Sequence, residues 1–384
     1  MSPVSSPKPR LLMLAATALV LVAVIPFAAA RLRLAADTPR PMTPAPSPIA
    51  PLLPPRYTVT AGLDGEIFPA FANYASLQKS ADRKLATISV RVENSTAWPL
   101  RNRIAVQIPG WSDQEIQHIE VPAGQSRILS FAPTFRSRFY RNQEIAAATA
   151  VVNVTDPAGH PLYSTTVPVR LRAADDIYWG ANFQYARFIA SWVTPHDPQV
   201  EEVLRAAKEL VPGRRLPGYE PWKSSAAQVH ETYTEAQAIY NALRRLGVSY
   251  VKSSVTLGDH QGISERVRMP RESLRRLSAN CIDGVVMYAS LFENLGMDTE
   301  VVLVPGHAYV AVREAQNSDT YLYIETTMTG RASFENAVLS ATRGMQQWKP
   351  NQVIRIAISQ SRSAGIYPLP SPATRAVARA GDDD

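Results

Sequence analysis

The hydrophobic spacing of this chain keeps period two up to about residue 172 and changes beyond Asp176, and that change limits the fold more than any other feature. Between residues 57 and 172 apolar and polar side chains alternate. Ile88, Val90 and Val92 alternate with Ser89, Arg91 and Glu93, and Ile104, Val106 and Ile108 with Ala105 and Gln107; Val167, Val169 and Leu171 repeat the pattern. Successive side chains of a strand point to opposite faces, so period two marks half-buried strands. Turn signals separate the runs, among them Pro109-Gly110, Pro122-Ala123-Gly124 and Asp156-Pro157-Ala158-Gly159-His160-Pro161. Many short strands with regular turns predict a β-sandwich of immunoglobulin-like outline over residues 57–172. His118 and His160 are isolated and read as surface or turn residues. Asn94-Ser95-Thr96 and Asn153-Val154-Thr155 match the short glycosylation sequon. Nothing in this region has catalytic or metal-ligand spacing, so it reads as a spacer or partner-binding module.

Beyond Asp176 the spacing turns helical, and residues 173–358 read as a second, α+β domain. Asp197 followed by Pro198 is an N-cap with proline at the first helical position, and Val200, Val203, Leu204, Ala207 and Val211 follow at helical intervals. A longer helix is predicted over residues 226–246, with Gly247 as its stop. Trp179, Trp192 and Trp222, with Phe183 and Tyr185, read as packing aromatics in preference to a cleft lining. Glu231 and Glu235 read as a solvated helix face.

The 384 residues contain one cysteine, Cys281, which excludes an intrachain disulfide and a cysteine-rich zinc site. It stands in Asn280-Cys281-Ile282-Asp283, ahead of Val285, Val286, Ala289 and Phe292 at helical spacing. Asn280 as N-cap and Asp283 three residues on predict a capping box, with Cys281 the first helical residue. A helix N-terminus carries unsatisfied N–H groups and partial positive charge, and both favour thiolate over thiol. Three strands are then predicted over residues 299–304, 307–313 and 321–326. A hairpin centred on Gln316 sets His307 directly opposite Glu325, close enough for a carboxylate to hold the imidazole. A register shifted by one residue would place them on opposite faces. A thiol, an imidazole and an orienting acid are what acyl transfer requires.

Asn280-Cys281-Ile282-Asp283-Gly284, Pro305-Gly306-His307-Ala308-Tyr309-Val310 and Tyr323-Ile324-Glu325-Thr326-Thr327 resemble the three blocks of the bacterial transglutaminase-like superfamily. The resemblance covers roughly residues 179–345 and implies a papain-like domain with a Cys-His-Asp triad. It would make Cys281 the nucleophile, His307 the base and Glu325 the orienting residue, with Glu where Asp is commoner. Members include protein cross-linking enzymes, cysteine peptidases, peptide N-glycanases and catalytically silent relatives. For the oxyanion, the Cys281 N–H is one candidate donor and the segment 250–261 the source of a second; Gln261 there reads as a loop residue rather than a donor. Arg266-Val267-Arg268-Met269-Pro270 also resembles the family's approach to its cysteine and is given a structural role.

Residues 11–30 are apolar apart from Thr17 and follow Lys8 and Arg10, long enough to span a bilayer or to serve as a secretory signal. Residues 1–36 are therefore read as signal peptide or membrane anchor, and the proline-rich residues 37–56 as a semi-stiff linker. Residues 359–384 are expected to be a disordered tail. The formal net charge of +7 is not gathered into one run, no glycine-rich phosphate loop or nucleic-acid motif occurs, and no cofactor or metal is expected. The expected activity is exported, periplasmic, thiol-dependent acyl transfer or amide hydrolysis on a protein or peptide substrate. A non-catalytic envelope scaffold retaining the fold is the alternative.

Overall fold

Alternation builds the first half of the molecule. Its elements are β1 (Arg56–Ala61), β2 (Glu66–Ile67), helix α1 (Pro69–Leu77), β3 (Ile88–Glu93), β4 (Leu100–Gln107), β5 (Glu115–Val121), β6 (Ser126–Phe131), β7 (Ala146–Thr155) and β8 (Pro161–Leu171). They form two sheets, ordered β1-β3-β6 and β2-β8-β7-β4-β5. The alternate residues Ile88, Val90 and Val92 of one sheet and Ile104, Val106, Val152 and Val154 of the other are buried in one apolar cluster. The computed structural model describes residues 53–78, 83–252 and 264–370. The expected leader and most of the linker lie outside these residues, as does Gln261. Among the described residues no helix is long and apolar enough to cross a membrane.

Both isolated histidines lie at the surface, where His160 Nδ1 donates to Asp156 at 2.8 Å. The two sequons differ in access. Asn94 is buried and its Nδ2 donates to the carbonyls of Trp98 and Val121, each at 2.8 Å, whereas Asn153 is exposed.

The second half mixes helix and sheet. Strand β9 (Asp176–Tyr178) precedes helix α2 (Pro198–Lys208), and Asp197 caps α2 by accepting from Gln199 N. Then come α3 (Ser225–Leu246), β10 (Ser249–Tyr250), β11 (Ser264–Arg266), α4 (Pro270–Arg276), β12 (Ser278–Ala279) and α5 (Cys281–Asn294). Gly247 ends α3 with φ 87°, a left-handed conformation that costs glycine little. Strands β13 (Thr299–Val304), β14 (His307–Arg313) and β15 (Tyr321–Ile324) are followed by α6 (Phe334–Gln346), β16 (Ile354–Ala357) and α7 (Ile358–Ser363). The sheet order is β15-β14-β13-β16, antiparallel throughout. One face, with Val301, Leu303, Ala308, Val310 and Val312, joins the cluster that contains Val285 and Val286 of α5. The other, with Val302, Val304, Tyr309 and Ala311, packs with Ala341 of α6. Burial on both faces accounts for the continuous apolar run of β13.

Three expectations are corrected. The disordered tail does not begin at Ser359. Residues 359–370 are folded, with Ile366 and Leu369 buried and Leu369 N donating to Ser191 O at 2.9 Å. Arg362 holds this segment, donating to both carboxylate oxygens of Glu293 at 2.9 Å and to the carbonyls of Ala190 and Val193. Glu235 is not solvated: it is 1% exposed and accepts from Gly218 N at 3.2 Å. Trp179 and Trp192 are buried as packing residues, but Trp222 is 77% exposed.

Candidate active site

Asn280 caps α5, its Oδ1 accepting from Asp283 N at 2.8 Å while Asp283 Oδ2 accepts from Asn280 N at 3.3 Å. Cys281 is therefore the first helical residue, as the spacing predicts. Asp283 is buried, and its Oδ1 accepts from Arg268 N at 2.8 Å. The stretch before the cysteine thus braces the cap of the helix that carries it. Gly284, one turn into α5, allows a close approach: a Cβ there would lie 2.7 Å from Thr326 Oγ1. Thr326 Oγ1 donates in turn to the carbonyl of Cys281 at 3.4 Å.

His307 opens β14. The two-residue turn before it, Pro305-Gly306, joins Val304 to its partner His307, and Gly306 takes φ 73°. Proline followed by a positive-φ glycine is the combination of a type II turn. The ring of Tyr309 stands edge-on to the imidazole, with centroids 4.7 Å apart at 89°.

Glu325 lies one residue beyond β15 and differs from expectation in register. Val310 pairs with Ile324 and Arg313 with Tyr321, so the hairpin is centred on Asn317, not Gln316. Asn317 adopts φ 66°, and Ser318 N donates to Ala315 O. That turn moves the pairing by one residue on each strand. Glu325 is then diagonal to His307 rather than opposite it, on the same face, where long side chains still meet. His307 Nε2 and Glu325 Oε2 are 2.7 Å apart. An ionised carboxylate only accepts, so Nε2 carries the proton and Nδ1 is left for the thiol. Glu325 Oε1 accepts from Thr327 N at 3.1 Å and from Thr327 Oγ1 at 2.6 Å, which fixes the carboxylate.

The electrostatics follow from these contacts. Burial pushes the imidazole down, but hydrogen bonding to Cys281 and Glu325 and the negative charge of both outweigh it, and His307 is raised to about 9. Burial favours the neutral form of Glu325 as well, yet the hydrogen bonds from His307 and Thr327 and the imidazolium charge hold its carboxyl below the usual range. The structure thus brings Cys281, His307 and Glu325 together, with Glu325 at the buried end.

Sequence reasoning missed the two threonines after Glu325, because Thr326 and Thr327 act only once the chain turns there. Tyr250 opens the segment 250–261 named as a source of a second oxyanion donor, and its phenol lies within the electrostatic reach of Cys281, Glu325 and Arg331. The parallel pairing of Tyr250 with Ala279 is what sets it beside the cysteine. Among the described residues no group of three or more His, Cys, Asp or Glu is placed to hold a metal ion. No family model matches the chain, and no curated protein matches it in sequence.

Proposed function

We propose that this protein is a cell-envelope cysteine enzyme of transglutaminase-like, papain-like type, carried behind an immunoglobulin-like β-sandwich. Its activity is acyl transfer or amide hydrolysis on protein or peptide substrates. The observation that carries the reading is the placement of His307, with Nε2 on Glu325 at 2.7 Å and the Cys281 thiol, at the start of α5, near enough to help raise the imidazole. The apolar segment at residues 11–30 supports placement outside the cytoplasm, exported or anchored.

In this mechanism the thiol proton resides on His307 and the thiolate attacks the amide carbonyl carbon. The developing oxyanion is met by the Cys281 N–H, which has no partner among the described residues. The tetrahedral species collapses by breaking the C–N bond, and His307 gives its proton to the leaving amine. Water or a second amine then attacks the thioester, His307 takes the attacker's proton, and the thiolate leaves. Glu325 keeps the imidazole oriented and supports its charge in both halves.

The test is iodoacetamide alkylation of Cys281 at pH 7, followed by mass spectrometry, in wild type and His307→Ala. The expected result is a rate at least about ten-fold lower in the variant, with folding unchanged. Equal rates in the two proteins would overturn the reading.

A further inference from the structure

A cleft of about 610 Å³ opens behind the cap of α5, between residues 140–144, residues 174–175 and the segment from β11 through α4. Six arginines line it: Arg141, Arg266, Arg268, Arg271, Arg275 and Arg276. Its volume falls within the usual range for small-molecule sites, and its lining is more polar than apolar.

The charge in this cleft is unequally spent. Of its four acids, Glu144 accepts from Arg266 Nη2 at 3.0 Å, and Asp175 lies 3.6 Å from Arg266 Nη1. Asp283 lies 3.7 Å from Arg268 and accepts from the N–H groups of Arg268 and Asn280. Glu272 sits in the first turn of α4, where a negative charge is favoured. The buried Oδ1 of Asp175 has no hydrogen-bond partner among the described residues, and burial pushes that carboxyl up to about 6, so it adds its full negative charge to the cleft only well above that pH. Arg271 is engaged by Asp197 at 3.7 Å. The surplus lies elsewhere. Arg275 and Arg276 are exposed and have no ion-pair partner among the described residues, and Arg141 donates to the neutral Ser137 hydroxyl at 3.4 Å.

We propose that this arginine-lined cleft is a binding site for a small multivalent anion, its phosphate or carboxylate groups held by Arg141, Arg275 and Arg276. The guanidinium fork matches both oxyanions in bidentate geometry, and three such forks around a concave site favour a ligand with two or more anionic groups. The site is contributed jointly by the strand-rich half, through Arg141, and by the half that carries the cysteine. It also touches Asn280 and Asp283, the two cap residues flanking Cys281 in sequence.

The experiment is isothermal titration calorimetry of the full chain at low salt with two probes, inorganic pyrophosphate and citrate. Saturable binding is expected for at least one, weakened about ten-fold or more in the double variant Arg275→Ala/Arg276→Ala. Pyrophosphate alone would identify a phosphate ligand and citrate alone a carboxylate ligand. Because both arginines are exposed, the double variant should keep the wild-type circular dichroism and thermal unfolding. Cys281→Ala protein should bind as wild type does, so the cleft stands or falls apart from the thiol chemistry. Absence of saturable binding by either probe, or binding unchanged by the double variant, would overturn the assignment.

Discussion

The two halves of the molecule treat charge in opposite ways. Among the described residues before 173, the buried polar side chains are neutral: Asn73, Thr87, Asn94, Asn102 and Ser112. Its ion pairs lie mostly at the surface, as in Arg101–Glu120, whose side chains are 70% and 52% exposed. The second half buries Asp176, Asp197, Glu220, Glu235, Glu265, Asp283, Glu300 and Glu325. Burying an ionised carboxylate is costly unless it is paired and hydrogen-bonded. A fold that does so repeatedly has other demands on it than stability. In the first half the apolar alternation suffices to hold two sheets together. In the second, carboxylates orient an imidazole, cap a helix and fasten loops.

The largest effect should come from the acid at the end of the chain of contacts. Glu325→Gln keeps the shape but removes the charge that His307 Nε2 addresses. Alkylation of Cys281 at pH 7 should slow by about ten-fold or more, and turnover of an amide substrate by up to ~10⁴-fold. The matched change on the strand-rich surface, Glu120→Gln, should alter neither. A Glu325→Gln protein as reactive as wild type would erase the contrast between the halves.

A second way to sharpen the comparison is pH. Glu265 is buried, with Oε2 accepting from Trp179 Nε1 at 3.1 Å, and burial raises its carboxyl to about 7. The folded state therefore holds a proton that the unfolded chain releases nearer 4.5. Between those values the native state binds more protons, so this group makes stability fall as pH rises. Glu265→Gln retains an acceptor for Trp179 and should flatten that slope. The difference between the two proteins should reach about 3 kcal/mol by pH 8, measured by urea unfolding across the range.

Asp283→Ala removes half of the capping box and leaves the N–H groups of Arg268 and Asn280 without their carboxylate. A loss of about 1–3 kcal/mol in urea unfolding is expected. The smallest effect belongs to the first half: Arg101→Ala should change stability by less than about 0.5 kcal/mol, as exposed pairs generally do. A cost comparable to that of Asp283→Ala would show that the strand-rich half depends on charge as well.

Legibility in the sequence followed the range of the interactions. The alternation of β3 and β4 was readable because burial of one sheet face repeats every second residue. The start of α5 was readable because Asn280 and Asp283 satisfy each other within four residues. The register of β14 against β15 was not, since it depends on Asn317 taking a left-handed conformation in the connecting turn. The prediction still kept His307 and Glu325 on one face, because the true pairing moved each strand by a whole residue. The burial of Glu235 was hidden, because its partner Gly218 comes from a separate loop. Residues 359–370 were misread for the same reason: their prolines suggest disorder, while the contacts that fold them reach back to Ala190, Val193 and Glu293.

The sequence by itself determined the alternating strands of the first half, helices α2, α3 and α5 and strands β13 to β15 of the second, and the placement of a single thiol at a helix start. These follow from local propensity, capping and periodicity, which act over a few residues. Only the tertiary structure decided that Nε2 of His307 meets Glu325 across a diagonal, that Thr327 fixes the carboxylate, and that arginines from both halves share one cleft. Those outcomes depend on turn geometry and on packing between segments far apart in the chain, and no pattern within a single segment records them.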